Sequence, residues 1–182
     1  MKKQLDSRRV RMTKRLLKDA LLELLEKNEL ANITVTSICK AADVHRSTFY
    51  LYYANPADLL NEIEQGFFDS IPTPSQVLDQ ESQRSLLDIT AAFFEYIRQN
   101  RATLHVLFSK LADNSFPIRL VEHLCSGYIP VGEERDELTA RFIRLYIANG
   151  TVGMLREWVN SGFPVSDQKI AEMMYDLSKR LI

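Results

Sequence analysis

Residues 34–53, TVTSICKAADVHRSTFYLYY, leave little freedom in local structure. Thr34 is a helix cap, its hydroxyl able to accept an otherwise unpaired first-turn amide. Ile38, Ala41 and Ala42 supply the inner face of the short helix that follows, and the two alanines are small enough for another helix to cross closely. Asp43-Val44-His45 then interrupts the pattern. The residue leaving that helix needs a positive φ, which glycine adopts most easily and aspartate tolerates. Val44 is expected to plug the gap between the helices. A second helix opens at His45 or Arg46 and runs to about Tyr53. Two short helices around a tight turn form a helix-turn-helix.

The flanking sequence extends the helical reading. Over 8–27, Met12, Leu16, Ala20 and Leu24 recur every fourth residue with Leu17, Leu21 and Leu25 beside them, which predicts one broad apolar stripe. Asn55-Pro56-Ala57-Asp58 is a helix start: an Asn cap, Pro in the first turn and an acid at the positive end of the dipole. Leu59, Leu60, Ile63, Phe67 and Phe68 carry that helix to about Ser70, and the run 71–75, IPTPS, breaks the composition. Further helices are expected near 82–100, 102–112, 116–127, 133–160 and 167–181. No stretch alternates as a strand does, so the fold class is all-α. The expected organisation is a helix-turn-helix domain at 1–55 and a helical domain at 56–182, with 56–70 as a connecting helix.

Charge separates the same regions. The net charge is −1, yet residues 1–60 carry eleven basic and seven acidic side chains, leaving −5 for the rest. Eight of the basic groups (Lys2, Lys3, Arg8, Arg9, Arg11, Lys14, Arg15 and Lys18) lie before residue 19 against the single acid Asp6. A basic end on an acidic body suits a module that meets phosphates. Cys39 and Cys125 match no metal or redox spacing and read as small buried hydrophobes. No metal or other cofactor is expected: His105 and His123 are isolated, and there is no phosphate-cradling Gly loop, HExxH or nucleophile context, so no enzyme is expected either. No apolar run is long enough to span a membrane, and a cytoplasmic location is expected.

The run from Ile33 to Val44, with Thr48-Phe49-Tyr50-Leu51-Tyr52-Tyr53 and Asp58-Leu59-Leu60, resembles the tetracycline-repressor (TetR) family of bacterial transcriptional regulators. The motif match covers residues 8–60. The resemblance implies a homodimer that binds double-stranded operator DNA, commonly as a repressor, with occupancy set by a small-molecule effector or partner at the C-terminal domain. Phe49 and Tyr53, four apart, should turn inward and leave Arg46, Ser47, Tyr50, Leu51 and Ala54 outward. By resemblance this outward face reads DNA. Arg46 would take a guanine edge or a phosphate, Ser47 and Tyr50 phosphates, and Leu51 a thymine methyl. Thr34 and Thr36 would meet backbone phosphate. Tyr52 replaces a common His and would make a weaker phosphate contact. Three departures are plain: Asp43 stands where Gly is usual, His45 where a Ser or Thr cap is usual, and Pro56 where many relatives carry a phosphate-gripping Lys. His45 offers a phosphate contact of its own, and the basic N-terminal arm could offset what is lost by tracking the backbone. The alternative is a helical co-regulator whose degenerate helix-turn-helix works through protein–protein contacts.

For the C-terminal domain, the resemblance implies dimerisation and, in many members, a ligand site. Candidate lining residues are Phe93, Phe94, Tyr96, Ile97, His105, Phe108, His123, Tyr146 and Trp158. Gly150 and Gly153 sit inside the long helix, where each costs about 1 kcal/mol relative to Ala unless another helix approaches closely. Gly150, Gly153 and Met154, with Ile170, Met173, Met174 and Leu177 of the last helix, are therefore expected at a symmetric four-helix interface.

Overall fold

The computed structural model describes residues 2–73, 86–109, 115–127, 129, 131, 135–179 and 181. Among them every regular element is helical: α1 (Lys2–Leu25), α2 (Val35–Ala41), α3 (Arg46–Tyr50), α4 (Pro56–Asp69), α5 (Leu86–Gln99), α6 (Arg101–Leu107), α7 (Phe116–Cys125), α8 (Glu137–Asn160) and α9 (Asp167–Ser178), with a 3-10 turn at Leu30–Asn32. The all-α expectation holds. The expected helix limits at 82, 112 and 133 fall outside the described residues, as do Pro74 and Ser75. Two compact units are formed, one holding the helices up to Asp69 and the other beginning at Ser70.

In the first unit α1 packs on α2 and α4. Its buried centre is Leu17, Leu21 and Leu25, all fully enclosed, with Ala20 beside them. Each such leucine contributes about 2 kcal/mol by leaving water. Met12 and Leu16, expected in the buried stripe, are 56% and 39% exposed. Rotation of about 100° per residue explains this: Leu16 lies a quarter-turn from Leu17, and Met12 further round still. α1 also begins at Lys2 rather than near residue 8.

α2 starts with a reciprocal cap. The Ser37 amide donates to Thr34 Oγ1 and the Thr34 amide donates to Ser37 Oγ, both at 3.1 Å. Ile38, Cys39 and Ala42 are buried, whereas Ala41 is exposed. The inner face therefore follows the i, i+4 pair Ile38–Ala42, and Cys39 takes the place expected for Ala41. Asp43 adopts a φ of 52°, and the Val44 amide donates to the Cys39 carbonyl at 2.9 Å, the long bond of a Schellman turn. α3 is shorter than expected because the Tyr52 and Tyr53 amides both donate to the Phe49 carbonyl, at 2.9 and 3.0 Å, and the chain turns away. At the start of α4 the Asp58 amide donates to Asn55 Oδ1 (2.9 Å) while Asp58 Oδ2 accepts from the Ala54 amide (3.0 Å). Pro56 occupies the first helical position, where no amide is needed.

In the second unit α9 lies along α5, and α6 and α7 pack on α8. Asp136 caps α8 by accepting from the Thr139 amide (3.0 Å), and Ser166 caps α9 by accepting from the Lys169 amide (3.2 Å). The Trp158 ring meets Phe94 edge-on at 5.7 Å and Phe163 at 4.8 Å, and its Nε1–H donates to the Val165 carbonyl at 3.0 Å. Gly162 and Phe163, with φ of 77° and 60°, end α8 in a second Schellman turn, the Phe163 amide donating to the Trp158 carbonyl at 2.9 Å. Among the described residues no helix is long and apolar enough to cross a membrane.

Candidate nucleic-acid interface and effector cavity

α3 is held by its inner side. Phe49 is fully buried and Tyr53 nearly so, their rings 5.6 Å apart. With those two positions fixed, Arg46, Ser47, Tyr50, Leu51 and Ala54 all face solvent. Tyr50 is 52% and Leu51 75% exposed, far more than apolar side chains in a finished core. The Tyr50 ring stands edge-on to Phe49 at 5.8 Å, which braces it while about half of the side chain stays exposed. His45 occupies the cap position without a side-chain cap bond, so its imidazole is exposed and uncommitted to the helix end. Thr34 and Thr36 are exposed at the start of α2. The Thr34 hydroxyl is engaged with Ser37, so Thr36 is the freer of the two. Asp43 is exposed and, among the described residues, forms no ion pair with Lys40, Arg46 or any other cation.

A residue invisible to the sequence reading organises the basic helix beside this face. Glu62 of α4 accepts from both Lys14 (2.8 Å) and Lys18 (2.9 Å) of α1. Burial raises the Glu62 carboxyl, but the two ammonium groups outweigh it and hold the carboxyl below its ordinary value. The Lys14 ammonium also lies over the half-buried Tyr52 ring at 5.7 Å and the Tyr53 ring at 5.4 Å. Burial, together with the Glu62 carboxylate, pushes the Tyr53 phenol well above its ordinary value. Lys14 and Lys18, two of the eight basic groups counted in the N-terminal segment, thus share one carboxylate and together keep a single net positive charge, and Arg15 lies 3.6 Å from Asp19. Arg8, Arg9 and Arg11 remain exposed. Lys14 and Lys18 lie one turn apart on α1, but their shared acid comes from another helix and no spacing rule identifies it.

The second unit contains a cavity lined by Phe93, Phe94, Ile89 and Thr90 of α5, Ile147 and Thr151 of α8, and Met174, Tyr175 and Ser178 of α9, with Pro72, Leu86, Leu124 and Ile129 completing it. Of the expected lining residues, Phe93 and Phe94 are present and the others are elsewhere. His105 is exposed and Tyr146 is 72% exposed, because each lies on the outer side of its helix. Phe108 is spent on Phe116 at 5.2 Å, and Trp158 packs between Phe94 and Phe163. Ile97 is fully buried in the core, and His123 is half-buried on α7. Tyr96 is half-buried, and burial pushes its phenol up to about 12 despite a bond with Ser70. The available signal was the small hydroxyls Thr90, Thr151 and Ser178, each interrupting an otherwise apolar helix face.

The expected dimer residues divide in the same way. Met173 and Leu177 are 45% and 65% exposed, whereas Ile170 and Met174 are buried within the unit because they face α5 and Thr151. Gly150 and Gly153 are exposed, with no atom within 4 Å of where a Cβ would stand, and Met154 is half-exposed. They continue a solvent-facing apolar row on α8 that includes Leu138 (62%), Phe142 (62%), Leu145 (43%) and Tyr146.

Comparison with known proteins agrees with this layout. The family model for a TetR-type transcriptional regulator C-terminal region matches residues 84–180, just over half of the 182. The uncharacterized HTH-type transcriptional regulator YxbF of Bacillus subtilis (strain 168) is 41% identical over 63 residues, covering 35% of this chain but 17% of that curated relative's length. Among solved structures, a TetR transcriptional regulator from Streptococcus agalactiae 2603V superposes with a TM-score of 0.70 at 20% identity, over 96% of this chain and 98% of that one. The dihydroxyacetone kinase operon activator DhaS gives 0.65 at 20% identity, over 92% and 94%. At such identity these structures speak for the fold alone, while the family model speaks for descent: the chain belongs to the TetR family of transcriptional regulators.

Proposed function

We propose that this regulator binds duplex DNA as a homodimer through the outward face of α3, with occupancy set by a small molecule held in the second unit. The observation that carries the reading is the division of α3 itself. Burial of Phe49 and Tyr53 gathers Arg46, Ser47, Tyr50 and Leu51 on one exposed surface, the combination of cation, hydroxyls and apolar group that phosphates, base edges and thymine methyls accept. Thr36 and His45 extend that surface toward backbone phosphate, with Thr34 and Tyr52 as lesser contributors because their side chains are already engaged.

Pairing of two copies is supported by the exposed row on α8, with Met173 and Leu177 on α9. A monomer rarely leaves so many large apolar side chains in one place without a partner. The two glycines in that row carry an unfavourable helix propensity that nothing inside the unit offsets. Action through protein contacts instead of DNA draws its support from the unpaired Asp43 and the Lys14–Glu62–Lys18 cluster, both of which reduce positive charge near α3.

Affinity for fragments of the upstream region, measured against salt, separates the two. A dimeric DNA reader weakens steeply with salt and protects a near-palindrome with half-sites about one helical turn apart. Arg46→Ala should erode discrimination between sequences by about 1–3 kcal/mol, whereas Tyr50→Phe should weaken all sequences evenly. No duplex binding at modest ionic strength would eliminate the reading.

A further inference from the structure

The cavity of the second unit measures about 70 Å³, room for roughly five waters at about 10–15 Å³ each. Its chemistry is uneven. Ile89, Phe93 and Phe94 form an apolar wall, while Thr151 and Ser178 bring hydroxyls from α8 and α9. Among the described residues no Lys, Arg, His, Asp or Glu lines it. Lys179, adjacent to Ser178 in the chain, is exposed and paired with Asp176 at 2.6 Å. The Lys179 ammonium lies 5.7 Å from the ring centre of the lining Tyr175, but Asp176 already holds it, so a carboxylate lodged against the apolar wall would give up hydration for no free cation among the described lining residues.

The hydroxyls differ in what they still offer. Thr151 is 8% exposed and directs its proton toward the Ile147 carbonyl (2.8 Å) and the Met174 sulfur (3.6 Å), so an acceptor lone pair is what remains. Ser178, 6% exposed, sits one turn beyond Met174 on the same face of α9, and its hydroxyl has no hydrogen-bond partner among the described residues. A hydroxyl at a cavity wall that no protein group engages is open to a ligand or water, as donor and as acceptor. Thr90, across the cavity, has its proton committed to the Leu86 carbonyl at 2.8 Å.

We propose that this cavity selects an uncharged, mostly hydrocarbon molecule of about seven non-hydrogen atoms bearing one hydroxyl, seated between Thr151 and Ser178. The inference deepens, and rests on, the reading of the second unit as effector-binding. The hydroxyl donates to Thr151 and accepts from Ser178, and the carbon chain covers Phe93 and Phe94.

The chain holds its own reporter. Trp158 is the sole tryptophan, and its ring touches Phe94, which lines the cavity. 1-Hexanol and hexanoate are titrated separately at neutral pH, followed by Trp158 emission and by saturation-transfer NMR on the ligand methyl. Saturable binding of 1-hexanol at about millimolar concentration is expected, at least tenfold tighter than hexanoate. Ser178→Ala should weaken 1-hexanol about fivefold. Thr151→Val, nearly isosteric, should do the same and serves if the first variant misfolds, with helical circular dichroism checking both. Hexanoate binding as tightly as 1-hexanol, no saturable alcohol binding, or folded variants of unchanged affinity would each overturn the proposal. If 1-hexanol binds as described but leaves DNA occupancy unchanged, the ligand class stands and the effector reading is what fails.

Discussion

Replacing Asp43 by glycine probes the turn from which α3 is launched. The φ of 52° at Asp43 is one that costs an L-residue about 1–2 kcal/mol, with aspartate toward the lower end. The side chain also sets a negative charge just beyond the C-terminal end of α2, where the dipole disfavours anions by about 0.3–1 kcal/mol. Glycine removes both penalties but adds about 0.4–1 kcal/mol of chain entropy to the unfolded state. The balance is a net gain of about 1 kcal/mol, which for a chain of 182 residues raises Tm by about 2–4 °C. Asp43→Ala loses the charge but keeps the strained backbone, so it should lie about 1 kcal/mol below Asp43→Gly. Urea unfolding of the three proteins measures both differences. Both variants also remove an unpaired anion beside α3, so both should bind DNA more tightly than the parent, and to a similar degree. An alanine variant as stable as the glycine variant would refute the strain argument. A glycine variant alone in binding more tightly would show that backbone shape, not charge, limits contact.

Two further perturbations address the surfaces around α3 and α8. Glu62→Gln should cost about 0.5–1.5 kcal/mol, since two half-exposed pairs are lost. It should also steepen the salt dependence of DNA binding by about 0.9 for each lysine released to a phosphate. Because the folded carboxyl titrates below its unfolded value of about 4.5, its contribution is present above that pH and lost as pH falls through the lower, folded value. The stability gap between parent and variant should therefore close on acidification, and a gap unchanged down to pH 3 would contradict the pairing. Phe142→Glu, on the exposed row of α8, should yield a folded monomer in sedimentation or light scattering with little change in helicity, and with much weakened DNA binding; an intact dimer would place the interface elsewhere.

The helix-turn-helix was legible because its determinants are local. Thr34 as a cap, a left-handed Asp43, and the four-residue spacing of Phe49 and Tyr53 are decided within a few residues of chain. The end of the basic helix was less legible: apolar periodicity admits several neighbouring stripes, and only packing against α2 and α4 selected Leu17, Leu21 and Leu25 over Met12 and Leu16. Glu62 could not be anticipated, since Lys14 and Lys18 lie 48 and 44 residues away along the chain. The cavity was hardest. Large aromatics such as Trp158 and Phe108 satisfy one another in the core, while the lining draws on small hydroxyls from α5, α8 and α9 that nothing in the sequence groups together.

The corner where α8 meets α9 has a mechanical consequence. It is locked by the Trp158–Val165 hydrogen bond, the edge-to-face Trp158–Phe163 contact and the left-handed pair at Gly162 and Phe163. A rigid swing of α8 that parted Thr151 from Met174 would pivot there, in the manner of tongs held at the closed end. Thr151 lies roughly 10 Å along α8 from that pivot, whereas the first turn at Glu137 lies roughly 31 Å away. A displacement of half an ångström at the cavity thus becomes about three times larger at the far tip of the helix, and the leverage comes from the length of α8 alone.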